Sequence, residues 1–335
     1  MLYYKSGLEA IIEDEVTKRF DAEELSSWNM LTRTNMDHQF ISVRLTILWF
    51  LGWILRYLIL FPFRAILALF AIGLMIAGTA VIGSLPITPK MKKKANFRLS
   101  VTCYRIMSRA FSAVIRFHNK ENRAKGGGIC VANHTSPIDI IILGCDNCYA
   151  MVGQAQGGFM GTMQRAMSRA EHHIWFQRSE SKDRLAVARR LKEHVEDEKK
   201  LPILIFPEGT CINNTSIMMF KKGSFEVGGV VYPAAIKYDS RFADPFWNSS
   251  KQSLSKHLLM ILSSWALVCD VWYLPPVTQQ PNETGLQFAN RVKAVIAQQG
   301  GLVDLEWDGG LKRDKPKASM MQKQQEVYSK RVKGE

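Results

Sequence analysis

The sequence predicts an α/β fold: a helix-covered mixed sheet preceded by two apolar membrane-associated helices. Three observations predict it. From about residue 126 onward, short apolar runs alternate with polar-faced helical segments, the pattern of a sheet sandwiched by helices. Ahead of that region, residues 41–87 are almost wholly apolar, although apolar residues make up an ordinary 47% of the 335-residue chain. The formal charge is +14, so the chain that carries this apolar stretch is also strongly basic.

The elements follow in order. Residues 1–40 are polar and acid-rich, and "LEAIIEDEVTKRF" reads as a short amphipathic helix. Residues 41–63 are apolar apart from Arg44 and Arg56, and residues 65–87 carry no charge at all. As a helix the second stretch is about 34 Å long, enough to cross a bilayer. Pro62 and Arg64 sit at the junction, which suits either a tight helical hairpin or a pair of helices lying shallowly in one leaflet. "PKMKKKANFR" follows at once, and its lysines favour the cytosolic side. The apolar region begins too far from Met1, and runs too long, for a signal peptide.

Beyond it, "ICVA", "CYAMVG", "HHIWFQR", "LPILIF", "VVYPAAIKY" and "LVCDVWYL" read as strands. "GFMGTMQRAMSRA", "SKDRLAVARRLKEHVEDEKK" and "LQFANRVKAVIAQQ" read as helices. Residues 258–274 are apolar except for Asp270, and read as a helix running into a buried strand rather than a third membrane segment. The organisation is therefore 1–40 polar segment, 41–88 membrane-anchoring helical pair, 89–310 main domain and 311–335 polar tail.

Composition narrows the function classes. Basic excess suits an anionic partner: a membrane surface, nucleic acid or a polyanionic small molecule. No zinc-finger spacing, homeodomain-like segment or aromatic RNA-binding signature accompanies it, so nucleic acid is set aside. Cys145 and Cys148 form one isolated CxxC with no second pair, and all six cysteines read as reduced, mostly buried small hydrophobes. No metal or dinucleotide motif is present, and the adjacent His172 and His173 read as structural.

Three stretches carry candidate chemistry. In "VANHTSPIDIII", Ser136, Pro137 and Asp139 suit the N-cap, N1 and N3 positions of a capping box, which accounts for every polar residue except His134. The same geometry puts His134 at the C-terminal end of a strand, where open α/β sheets hold ligands. A carboxylate in the first helical turn then orients the imidazole and leaves its other nitrogen to take a proton from a hydroxyl. No nucleophile elbow accompanies the pair, so that hydroxyl belongs to a substrate. In "ILIFPEGTCINN", a buried strand runs into a rigid Pro-Glu-Gly turn, with Glu208, Gly209 and Thr210 at the sheet end. It reads equally as a polar turn. Arg178 ends a strand, and its planar fork suits phosphate. Lys221 and Lys222 precede Gly223, a solvated turn or a phosphate site.

Taken together, N-H-T-S-P-I-D at 133–139, Arg178 after Trp175-Phe176-Gln177, F-P-E-G-T at 206–210 and V-Y-P-A-A-I at 231–236 resemble the four blocks of the glycerolipid acyltransferase superfamily. The wording "VANHTSPIDIIIL", "LPILIFPEGTCINNTS", "FKKGSFE" and "GGLVDLEWDGGLKR" is similar to the glycerol-3-phosphate acyltransferases of the animal endoplasmic reticulum. The glycine usual a few residues before the arginine is absent. The resemblance implies transfer of an acyl group from acyl-coenzyme A to the sn-1 hydroxyl of glycerol 3-phosphate, giving lysophosphatidic acid. It implies His134 as general base, Asp139 as its orienter, Arg178 as phosphate clamp, Glu208, Gly209 and Thr210 as the acceptor pocket and Lys221 as an aid to phosphate binding. It implies no cofactor, a membrane-lipid environment, and a catalytic domain facing the cytosol. A lysophospholipid acyltransferase and an inactive membrane lipid-binding protein are the alternatives. Five glycosylation sequons, at Asn133, Asn213, Asn214, Asn248 and Asn282, read as unmodified cytosolic asparagines because two of them fall at the site.

Overall fold

The computed structural model describes residues 42–155, 157–176, 184–249 and 251–306. The N-terminal amphipathic helix, Arg178 and the polar tail of the sequence analysis lie outside these.

The expected pair of apolar helices is a single helix, α1, running unbroken over Val43–Ser84 for 42 residues. Its length is about 63 Å, roughly twice a bilayer's hydrocarbon thickness. Pro62 does not break it because the turn just before, Leu55–Leu60, is π-helical. There the Phe61 N–H bonds the Arg56 carbonyl, five residues back, so the hydrogen-bond register has already shifted when the proline removes its own donor. Arg64 does not mark a loop either. It is buried, and its guanidinium donates to the carbonyls of Leu262 (3.0 Å), Trp265 (2.8 Å) and Ser264 and to Ser112 Oγ (2.6 Å). The charge that suggested a break is the group that fastens the helix to the domain. Ala71, Met75 and Thr79 continue the buried stripe, while Phe63, Ile66, Leu69 and Phe70 on other faces are exposed.

Helix α2 (Pro89–Ala110) returns along α1. Lys92 Nζ reaches the Gly83 carbonyl at 2.8 Å and so caps the end of α1. Next come β1 (Ala113–His118), β2 (Ile129–Ala132), α3 (Asp139–Gly144), β3 (Ala150–Gln154), α4 (Gly158–Ala170) and β4 (Ile174–Phe176). Then follow α5 (Arg184–Val195), β5 (Ile203–Ile205), β6 (Ser216–Ile217), β7 (Val231–Asp239) and α6 (Leu254–Ser263). The chain continues through β8 (Leu267–Tyr273), α7 (Gly285–Gly300) and β9 (Val303–Asp304). Residues 258–274 are thus a helix end, a short link and a strand.

Among the described residues, the main sheet has seven strands in the order β1-β8-β7-β2-β5-β3-β4. It is mixed: β7 and β8 are antiparallel, and every other neighbouring pair is parallel. Strand β2 is buried at all four positions because both faces are covered. Cys130 and Ala132 face one core with Phe111, Ile142 and Ile261, and Ile129 and Val131 face the other with Leu191, Phe288 and Val292. All six cysteines are buried free thiols, with Cys130 and Cys269 in the first of these cores.

Candidate functional site

The chain leaves β2 at Ala132, the central region of the sheet, and enters the turn that carries His134. Asn133 continues the sheet with its side chain: its Nδ2 donates to the Ile236 carbonyl (2.9 Å) and its Oδ1 accepts the Ile236 N–H (2.8 Å). The amide of the first sequon is therefore wholly engaged inside the fold. His134 Nδ1 lies 2.9 Å from Asp139 Oδ2, and the ring stacks on Phe206 with centroids 4.2 Å apart. The side chain of His134 is 16% exposed and that of Asp139 not at all. A buried carboxylate needs partners for its lone pairs. Asp139 has them: the N–H groups of Thr135 (2.8 Å) and Ser136 (3.0 Å) donate to Oδ2 beside the imidazole, and the Tyr238 hydroxyl donates to Oδ1. The carboxylate thus favours a proton on Nδ1, leaving Nε2 as the basic nitrogen.

Helix initiation explains half of this turn and not the other half. Asp139 accepts the Ser136 N–H as a capping-box carboxylate does, but helix α3 has no side-chain cap at its start. Ser136 Oγ lies instead 2.9 Å from His257 Nε2.

The Pro-Glu-Gly turn after β5 closes the other side. Glu208 is buried, and each of its oxygens accepts one backbone N–H: Oε1 from His134 (2.7 Å) and Oε2 from Met218 (2.8 Å). Burial pushes its carboxyl up to about 8, opposed only in part by those two amides. Gly209 has φ of 68°, a left-handed conformation that glycine adopts without strain. Lys221 Nζ occupies the space a Cβ on Gly209 would need, and the Lys221 N–H donates to the Pro207 carbonyl at 3.0 Å. The fold thus brings His134, Asp139, Glu208, Gly209 and Lys221 together, with Thr210 next in the chain. Of the candidate site residues, Arg178 alone falls outside the described structure. His173 is half-buried and its Nδ1 accepts the Met151 N–H at 2.9 Å, a structural duty.

Tyr238 and His257 went unnoticed in the sequence. Tyr238 is the penultimate residue of β7, whose pairing with β2 joins residues about a hundred positions apart. Asn214 brackets it, accepting the Tyr238 N–H (3.0 Å) and donating to its carbonyl (2.5 Å). Burial, then the Asp139 charge, hold the phenol well above its ordinary pKa, so it stays a donor. Tyr238→Phe removes one donor from a buried carboxylate and is expected to cost about 1–3 kcal/mol. Denaturant unfolding checks this; an unchanged midpoint would mean that the Asp139 oxygen does not depend on the phenol.

The constellation can move a proton between an imidazole and a hydroxyl. A family model described as Acyltransferase matches residues 114–237. The chain is 60% identical over 332 residues to glycerol-3-phosphate acyltransferase 3 of Danio rerio, covering 99% of this chain and 74% of that protein. It is also 60% identical over 332 residues to glycerol-3-phosphate acyltransferase 4 of Mus musculus, covering 99% of this chain and 73% of that one. The crystal structure of the 1-acyl-sn-glycerophosphate (LPA) acyltransferase of Thermotoga maritima is similar in fold, with a TM-score of 0.52 at 14% identity. The match covers 71% of this chain and 96% of that one.

Proposed function

Because the chain belongs to the family of glycerol-3-phosphate acyltransferases 3 and 4, we infer that it is an enzyme that transfers an acyl group from acyl-coenzyme A to the sn-1 hydroxyl of glycerol 3-phosphate. The products are lysophosphatidic acid and free coenzyme A. His134 Nε2 takes the proton of the sn-1 hydroxyl as the oxygen attacks the thioester carbonyl. The tetrahedral intermediate collapses, the carbon–sulfur bond breaks, and the imidazolium returns its proton to the departing sulfur. Asp139 stabilises the imidazolium and fixes the tautomer. No acyl-enzyme is needed, because the attacking oxygen is the acceptor's own.

One observation carries this assignment of roles: a fully buried carboxylate, saturated by backbone and phenol donors, in contact with His134 Nδ1. Arg178 and Lys221 act on the acceptor phosphate, the first as a bidentate fork and the second as a point charge. Glu208 and Gly209 shape that end of the pocket, with Glu208 acting through the backbone it holds. Residues 89–310 form the catalytic domain.

The enzyme works at the endoplasmic reticulum membrane, with this domain toward the cytosol. The exposed apolar face of α1 and the basic Lys90, Lys92, Lys93 and Lys94 just beyond it support that orientation. A long acyl tail partitions into lipid while glycerol 3-phosphate stays in water, so the reaction belongs at the interface.

The test offers labelled acyl-coenzyme A with glycerol 3-phosphate and with lysophosphatidic acid in parallel. Selective formation of lysophosphatidic acid is expected. Preference for the lyso-lipid would leave the base mechanism intact and overturn the acceptor.

A further inference from the structure

The turn between β2 and α3 forgoes its hydroxyl cap, and the bond it makes instead leads out of the element. Ser136 and His257 are both fully buried, 121 residues apart in sequence and 2.9 Å apart through Oγ and Nε2. His257 Nδ1 has no partner among the described residues. Burial holds the imidazole down at about 4, so the ring is neutral. A neutral ring carries one proton. Leaving an acceptor unpaired costs less than leaving a donor unpaired, which puts the proton on Nε2 and makes Ser136 Oγ its acceptor.

His257 sits on α6, and α6 is held from both sides. Arg64 of α1 grips the carbonyls at its far end, of Leu262 and Trp265. Just ahead of the helix, the Trp247 N–H donates to the Thr135 carbonyl at 3.2 Å, within the same catalytic turn. The Thr135 and Ser136 N–H groups are the ones that converge on Asp139 Oδ2.

We propose that His257 is a positioning residue for acyl transfer: from the braced helix α6 it holds Ser136 Oγ, and through Ser136 the turn whose amides fix Asp139 against His134. This rests on the reading of His134 as base. The role is one of geometry, and a displacement of the order of 1 Å in such a site costs about 100-fold in rate.

The experiment uses the full chain in lipid vesicles, with kcat, both KM values and the thermal midpoint measured. The variants are His257→Leu, His257→Gln, Ser136→Ala and the double Ser136→Ala/His257→Leu. His257→Leu is expected to lower kcat about 10- to 100-fold with both KM values within about twofold of the parent. His257→Gln, whose amide N–H reaches toward Oγ, restores most of the loss. The double variant is no slower than the slower single one, because the two residues act through one bond. Should His257→Leu not fold, Ser136→Ala lacks only a hydroxyl and must show the same loss of kcat. Unchanged kcat in either folded single variant, equal losses in Leu and Gln, or additive losses in the double would each overturn the proposal. Retained activity in His134→Ala, assayed beside these, would instead overturn the reading beneath it.

Discussion

His134→Ala is expected to lower kcat by about 10²–10⁴-fold, the usual contribution of a positioned general base. Among the described residues, nothing nearby substitutes for it. Glu208 is occupied by two backbone amides, and His257 is neutral, buried and turned onto Ser136. The variant folds well enough to be assayed, because the imidazole is partly exposed and stacks on a single ring, that of Phe206. Losing that stack costs about 0.5–1.5 kcal/mol beyond area burial. The KM for acyl-coenzyme A stays near that of the parent, since the group removed acts in the transition state. Steady-state assays at saturating acceptor check this. A folded His134→Ala that turns over at the parent rate would remove His134 as the base.

Glu208→Gln carries the second large effect, and in structure it is far from conservative. Both carboxyl oxygens accept a backbone N–H, and each keeps a lone pair for that purpose whether or not the group is protonated. An amide replaces one of them with a donor, so an NH₂ faces either the His134 or the Met218 N–H in a buried site. The expected cost is about 1–3 kcal/mol of stability, with a fall in kcat because the disturbed amide can be that of His134 itself.

The pH dependence gives an independent reading. The carboxyl is raised from 4.5 unfolded to about 8 folded, so between those values the native state binds more protons. Its contribution to stability is complete below about 4.5 and is lost as pH rises through about 8. The parent is therefore expected to lose more stability between pH 7 and pH 9 than Glu208→Gln does. His173 and His257, both held at about 4 by desolvation, act in a lower window and do not mask the comparison. Denaturant unfolding at the two pH values measures it, and parallel pH profiles would sink the assignment.

The chain's own wording determined what is local. His134 and Asp139 are five residues apart, and strand, turn and first helical turn follow from apolar run, Ser-Pro and acid. The same holds for the Pro-Glu-Gly turn at the end of β5, where the left-handed position falls on the glycine. Alternating apolar strands and amphipathic helices specified the α/β class, because each element must bury one face or two. Tertiary structure decided whatever joins distant positions. The pairing of β2 with β7 sets Tyr238 on Asp139, and α6 sets His257 on Ser136, in competition with the cap that the local sequence favours. Most plainly, Pro62 and Arg64 look like a break from within the segment. The helix runs on because a π-helical turn absorbs the missing amide, and because carbonyls two hundred residues away satisfy the buried guanidinium. A local pattern states what each group needs; only the packed chain states which distant group supplies it.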